Sequence, residues 1–313
     1  MTSLQTLPIQ VDAVPLKVSP SRIKTYQTCP KRYHYYYVQG LVSKYGKRKY
    51  FDKGNYFHEL AHVYYRLIRD IGIKPGSDAA VAMMRQRMSE DLDSHLSTGN
   101  LDVFKEITNK FLRFVQEQSP IIDEGIEVLA VEEELNVPLE LPSGRLISMF
   151  GFLDLRYRQG DYRGIRDHKT GEKAWTGGQV GFSGQLIFYD AGIYALTGEV
   201  YRPEINFVNT HEYKNKIPSF KETFFFESAS YSEKELQVYL EQVCILLDEM
   251  LDCKPTPHYD ERVCGSCPYK LPCIMERKGI DSTPILKAHY VPRDETPRER
   301  TFTNENTESD ETD

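Results

Sequence analysis

The sequence predicts an α/β (α+β) chain, and three observations carry this. Apolar residues recur at helical spacing over residues 54–118, strand signals begin near Ile126, and helical and strand stretches alternate from Gln185 to Leu251. The 313 residues are enough for one large domain or two small ones, and an apolar fraction of 40% is adequate for a packed core. No apolar run is long enough to span a bilayer, and the N-terminus lacks a charged-then-apolar opening. The expectation is a soluble cytoplasmic protein with no membrane partner. Its six cysteines are then metal ligands or buried thiols rather than disulfides.

Residues 1–16 read as a flexible leader. Ser19-Pro20-Ser21 marks a helix start with Pro20 in the first turn, carrying Ile23 and Tyr26 inward and ending near Cys29-Pro30. A second helix is expected from Pro30. Residues 54–70 place Phe57, Leu60, Ala61, Tyr64, Tyr65 and Ile68 on one helical stripe. Further helices follow over 77–118, then a β-rich run from Ile126 closed by the turn Pro142-Ser143-Gly144. After the hairpin described next comes a Gly-rich loop, 175–184, and a helix over 185–196. Strands are expected over 200–212 and 220–227. A helix over 231–251 opens with the capping box Ser232-x-x-Glu235. From residue 281 the chain is rich in Pro, Thr and acid, so 281–313 reads as an acidic disordered tail.

Residues 151–171 form the central signal. Apolar and polar residues alternate on both sides of Gly160-Asp161, which suits a two-residue turn of type II′. Residues facing each other across such a hairpin have numbers summing to about 321, taken from the turn geometry. Asp154 and Asp167 satisfy that sum, and Lys169 shares the face of Asp167. Two adjacent carboxylates repel unless a cation lies between them, and a divalent ion both removes the repulsion and holds phosphate oxygens. Gln185 and Tyr189, four apart on the following helix, face the same way.

Two further clusters stand out. Cys264, Cys267 and Cys273 form C-x2-C-x5-C in a Pro/Gly-rich loop, with Cys29 as the leading fourth ligand and Cys253 as its competitor. The net charge of −7 is unevenly placed: residues 17–53 hold ten Lys/Arg against one acid, interleaved with eight aromatic residues. Basic side chains neutralise phosphates and aromatics stack on bases, which singles out Arg22, Lys31, Arg32 and Tyr33 as DNA-binding candidates. His58-Glu59-Leu60-Ala61-His62 matches H-E-x-x-H, although no third zinc ligand stands out nearby.

Taken in order, Ser19…Tyr33, Gly54…His58, Gly151-x-x-Asp154, Asp167-x-Lys169, Gln185…Tyr189 and Cys264/Cys267/Cys273 resemble the RecB-type, Cas4-like branch of the PD-(D/E)XK nuclease superfamily. The resemblance implies one nuclease domain over 17–280 with a restriction-endonuclease-like core, a mixed central β-sheet flanked by helices. It implies Mg²⁺- or Mn²⁺-dependent cleavage of DNA, as an exonuclease acting on single-stranded DNA or duplex ends. A helicase or recombination protein is the further partner it implies, in prokaryotic or phage DNA repair and recombination. By the same resemblance His58, Asp154 and Asp167 are metal ligands, Lys169 is the active-site lysine, and Gln185 and Tyr189 support the core. The upstream acid is one of Glu132, Glu133 and Glu134; Glu132 is favoured because it follows the Leu129-Ala130-Val131 strand, and a slip of one residue reverses the face. Cys29, Cys264, Cys267 and Cys273 are implied as ligands of a [4Fe–4S] cluster pinning the C-terminal segment. Asp167 departs from the family, where many members have Glu. The rival readings are a non-catalytic, partner-activated DNA-binding accessory protein, a zinc peptidase through His58 and His62, and structural zinc at the cysteines.

Overall fold

The computed structural model describes residues 16–45, 49–97, 101–172, 177–211, 216–252 and 254–293. The expected leader up to Val14 and Pro15, Trp175, Cys253 and the tail from Asp294 lie outside the described residues. Its strands are β1 (Leu16–Val18), β2 (Leu41–Ser43), β3 (Ile126–Glu140), β4 (Leu146–Gln159), β5 (Tyr162–Gly171), β6 (Arg202–Asn209), β7 (Phe224–Ser228) and β8 (Tyr290–Pro292). The chain divides into two compact units. One joins residues up to 21 with 48–251, the other joins 22–47 with 252–313. The sequence predicts one domain over 17–280. Most of the chain's apolar pattern belongs to the first unit, whereas the second is drawn from the two ends of the sequence and has no continuous pattern of its own.

The first unit is built on a mixed sheet. β1, β4, β5, β6 and β7 lie side by side, and β3 pairs along the other edge of β4. β1–β4 and β5–β6 are parallel; β3–β4, β4–β5 and β6–β7 are antiparallel. One feature of the pairing positions the site. The same edge of β4 is taken by β1 at Ile147 to Met149 and by β5 from Leu155 onward. Between them, no strand among the described residues pairs with 150–154 on that edge, and β5 has turned from β4 to continue along β6 to Gly171. The hairpin register is the one expected, with Leu155 opposite Arg166 and Gln159 opposite Tyr162. Gly160 holds φ +58°, and Asp161 is not in the left-handed region, as a type II′ turn requires.

The Lys49–Ile71 helix packs on this sheet with the Asp78–Ser97 and Leu101–Arg113 helices. Phe57, Leu60, Ala61, Tyr64, Tyr65 and Ile68 are all buried, as their spacing predicts, against Phe111, Phe114, Leu155 and Tyr157. Arg166 lies fully buried in this core, paired with Asp123 and with Glu204. Tyr65 donates to Asp123 at 3.1 Å, so the charges are bound by hydrogen bonds and not merely enclosed. Residues 220–223 form a helical turn rather than the start of a strand, because Ser219 and Glu222 close a capping box there. The predicted capping box of the Glu233–Asp252 helix is present: Ser232 N donates to Glu235 Oε2 at 2.7 Å, and Glu235 N to Ser232 Oγ at 3.3 Å.

In the second unit, Pro30–Tyr33 is a single helical turn that passes into a π-helical turn, His34–Val38. Tyr35 stacks on Tyr269 at 5.1 Å between ring centroids, and Tyr269 on Tyr290 at 5.4 Å. The expected tail from 281 is ordered structure as far as Arg293. Thr283–His289 is a helix, and β8 pairs antiparallel with β2. Pro284 falls in the first turn of that helix, where its missing N–H costs nothing, and burial of Tyr290 holds the strand down.

Candidate active site

The gap between β1 and β5 on β4 is where the chemistry-bearing side chains of the first unit gather. Asp154 is the last β4 residue before the β5 pairing begins, and its carboxylate bridges the gap: the backbone N–H of His168 donates to Asp154 Oδ2 at 2.8 Å. His58 comes from the Lys49–Ile71 helix and sets Nδ1 3.2 Å from the same oxygen. Glu132 comes from β3. The flanking pairs Val131↔Leu155 and Glu133↔Leu153 put Glu132 across from Asp154. Ligand atoms of His58, Glu132 and Asp154 all lie within 4.8 Å of one another, and among the described residues they are the one such group. A neutral imidazole and two carboxylates suit a hard divalent cation.

Which of the three consecutive glutamates faces the site is decided by the backbone. β3 carries a bulge, with the register shifting between Val128 and Ala130, and Glu132 adopts φ +52°. Glu133 points the other way and accepts two hydrogen bonds from Arg156, at 2.6 and 2.7 Å. Glu134 receives a long contact of 3.4 Å from Asn136 Nδ2.

Asp167 lies beside this group but is held by other partners. Lys169 Nζ is 2.7 Å from Asp167 Oδ2, and Gln185 Nε2 donates to Asp167 Oδ1 at 2.9 Å. Gln185 also donates to Tyr189 Oη at 3.2 Å. Both residues come from the Gly184–Thr197 helix, capped by Ser183 at its start and by Gly198 in the left-handed region at its end. Gly151 makes room for this arrangement: a Cβ there would lie 2.7 Å from Tyr189 Cε1. The closest ligand set thus includes Glu132, which the sequence reading placed among the catalytic residues, while Asp167 is bound to Lys169 and Gln185.

The electrostatics follow from crowding. Burial works against the charge on Asp154, yet His58, by charge and hydrogen bond, and Lys169 hold its carboxyl well below the usual range. Burial raises Asp167, with Asp154 adding to it and Lys169 opposing. Burial likewise works against the Lys169 ammonium, but Asp167 and Asp154 raise it, so it stays charged at neutral pH. His168, which the sequence reading passed over, is buried against Phe57, Tyr65 and Phe114. Its Nδ1 sits 3.0 Å from Asn206 Nδ2, and burial lowers its pKa to about 3, so the ring is neutral. Its place between Asp167 and Lys169, on the opposite face of the strand, was the available signal. His62 does not join the ligand group, and Glu59 is exposed and paired with Arg87 at 3.4 Å. The H-E-x-x-H pattern therefore contributes His58 alone.

In the second unit, Cys29, Cys264, Cys267 and Cys273 line one cavity of about 330 Å³, together with Lys31, Arg32 and Tyr35. No three of these sulfurs fall within 4.8 Å of one another. Burial raises the Cys267 and Cys273 thiols. Of the DNA-binding candidates, Arg22 lies over the Tyr37 ring at 4.8 Å and Lys31 is paired with Glu276. Arg32 is half-buried near Cys267. Tyr33 is only 7% exposed and packs against Tyr26 and Tyr37, so its ring is core and not available for stacking.

No curated protein matches the chain. A solved structure described as "Crystal structure of SSO0001" is similar at 10% identity and a TM-score of 0.34, over 84% of this chain and 88% of that one. The family model of the PD-(D/E)XK nuclease superfamily matches residues 17–273. That span holds His58, Glu132, Asp154, Asp167, Lys169 and all four cavity cysteines, and the chain belongs to the PD-(D/E)XK nuclease superfamily.

Proposed function

We propose that the chain is a Mg²⁺- or Mn²⁺-dependent deoxyribonuclease of the RecB-type, Cas4-like kind, acting as an exonuclease in DNA processing, repair or recombination. The observation that carries this reading is the convergence of His58, Glu132 and Asp154 from a helix and two strands, with the Asp167–Lys169 pair alongside. His58, Glu132 and Asp154, with Asp167 as an adjacent carboxylate, are the residues that hold the cation. When bound, that cation supplies Lewis acidity toward a phosphate oxygen and a more acidic water.

The chain's own residues do the rest. Lys169, kept cationic by two carboxylates, offers a proton-rich group to the attacking water and to charge developing on phosphorus. Gln185 fixes the Asp167 carboxylate, and Tyr189 fixes Gln185. The His168 N–H orients Asp154 so that its other oxygen remains for the cation. The described parts of the second unit, residues 22–45 and 254–293, carry twelve Lys/Arg against four Asp/Glu in a chain of net charge −7. That excess supports a role in holding the phosphate backbone, with Arg22 and Arg32 as contacts.

For the second unit the same reading assigns a [4Fe–4S] cluster to Cys29, Cys264, Cys267 and Cys273. The donor set is all sulfur and lines one cavity.

Lys169→Ala tests the nuclease assignment. Cleavage of labelled DNA is expected to fall at least a hundredfold, by analogy with loss of one transition-state contact, at about unchanged DNA affinity. Near-normal turnover in this variant would remove Lys169 from the chemistry.

A further inference from the structure

We infer that Phe182 is a base-stacking residue at the candidate active site, which makes unpaired DNA bases its ligand; this rests on the nuclease reading. Phe182 is 92% exposed, the most exposed of the large apolar side chains among the described residues. Its exposure does not come from a loose loop. On one side Tyr231 Oη donates to Gly181 O at 3.3 Å. On the other, Ser183 N donates to Val180 O at 3.1 Å and Ile187 N to Ser183 O at 3.2 Å, which sets Ser183 as the helix cap. The backbone is tied on both sides while the ring stands in water.

Its position links it to the chemistry. Gln185, three residues on and within the first turn of the same helix, reaches Asp167 Oδ1 at 2.9 Å. Three glycines lie close to it in the chain, and among the described residues a Cβ added at Gly178, Gly181 or Gly184 would meet nothing within 4 Å. At these three positions no side chain of the chain's own stands between the backbone and an approaching ligand. A benzyl ring has no hydrogen bonds to offer, so what it selects is a flat apolar face. Bases within a duplex already stack on their neighbours, whereas an unpaired base has a face free. The substrate class that follows is single-stranded DNA or a frayed end.

The test is steady-state cleavage of end-labelled single-stranded DNA and of blunt duplex by Phe182→Ala, Phe182→Leu and Phe182→Trp, with melting curves of each. The exposed ring makes unfolding of these variants unexpected. Phe182→Ala should raise KM on single strands roughly ten- to a hundredfold with kcat little changed. Phe182→Leu should behave like Ala, since it keeps the apolar bulk but not the π face, and Phe182→Trp like the wild type. Unchanged KM in Phe182→Ala, wild-type behaviour of Phe182→Leu, or an equal loss on blunt duplex would each overturn the assignment, the second pointing instead to an apolar protein contact. Binding of a 2-aminopurine-containing single strand to full-length Asp154→Ala, with and without Phe182→Ala, reads the stacking without turnover. If the wild type cuts no DNA, the nuclease reading fails, and equal affinity in that pair sinks the stacking proposal by itself.

Discussion

Glu132 stands across from Asp154 on the neighbouring strand, and alone among the described non-glycine residues it holds a positive φ. The left-handed conformation costs a non-glycine residue about 1–2 kcal/mol. Glu132→Gly relieves the strain and removes the carboxylate. We expect stability to be unchanged or higher by up to about 1 kcal/mol, while cleavage falls at least about a hundredfold. Thermal melts and cleavage rates of the one variant check both halves. A melting temperature several degrees lower would make Glu132 a structural brace.

Gly151 and Tyr189 are coupled by contact. A methyl group at 151 meets the Tyr189 ring at 2.7 Å, and Tyr189 in turn accepts from Gln185. Gly151→Ala should destabilise by about 1–3 kcal/mol through overpacking and slow cleavage as Gln185 loses its support. In a Tyr189→Ala background the same substitution should cost much less. A double-mutant cycle in denaturant measures the coupling, and additive effects would contradict it.

The parts of this arrangement that could be read from the sequence are the local ones. The Gly160-Asp161 turn and the alternation on either side of it are enough to set the hairpin register, and the pairs from Leu155↔Arg166 to Gln159↔Tyr162 obey it. Placing Glu132 after the Leu129–Val131 strand needed only the order of residues. Its left-handed backbone did not show, and neither did the diversion of Glu133 to Arg156, a partner 23 residues away. Tyr33 reads as a stacking candidate because an aromatic and basic run looks the same whether its rings are core or surface; contacts with Tyr26 and Tyr37 decide it. The Thr283–His289 helix and β8 hide behind a polar, Pro-containing composition, since β8 is held by a strand about 250 residues earlier in the chain.

Asp190 follows Tyr189 on the motif helix and is fully buried. Its Oδ1 accepts from Tyr201 N at 2.9 Å, and Oδ2 has no hydrogen-bond partner among the described residues. Burial raises its pKa to about 7 despite the Tyr201 hydrogen bond. A carboxyl that is harder to ionise in the fold than in the unfolded chain costs nothing below about pH 4. The penalty grows as pH rises to about 7 and then levels off, at no more than about 4 kcal/mol. Asp190→Asn should therefore be more stable than the wild type at pH 8 and nearly equal to it at pH 4. Urea unfolding at the two values checks this, and equal gains at both would contradict it.

The second unit has ties besides its cysteines. Glu276 accepts from Tyr35 at 2.6 Å and from Ser282 at 2.7 Å and pairs with Lys31, and β2 is joined to β8. Cys267→Ser should lose the brown absorbance and the iron of anaerobically purified protein while keeping near-native far-UV circular dichroism. Stoichiometric zinc with no iron in the wild type would replace the cluster by a structural zinc site.

The central claim is that His58, Glu132 and Asp154 hold a divalent cation that drives hydrolysis. Its most direct test is cleavage of end-labelled DNA by anaerobically purified protein, with Mg²⁺ or Mn²⁺ against EDTA and Asp154→Ala alongside. The account predicts cutting that requires the added ion and disappears in Asp154→Ala. Cutting that survives EDTA or the substitution would contradict it, as would a folded, brown wild-type protein that cuts no DNA with either ion.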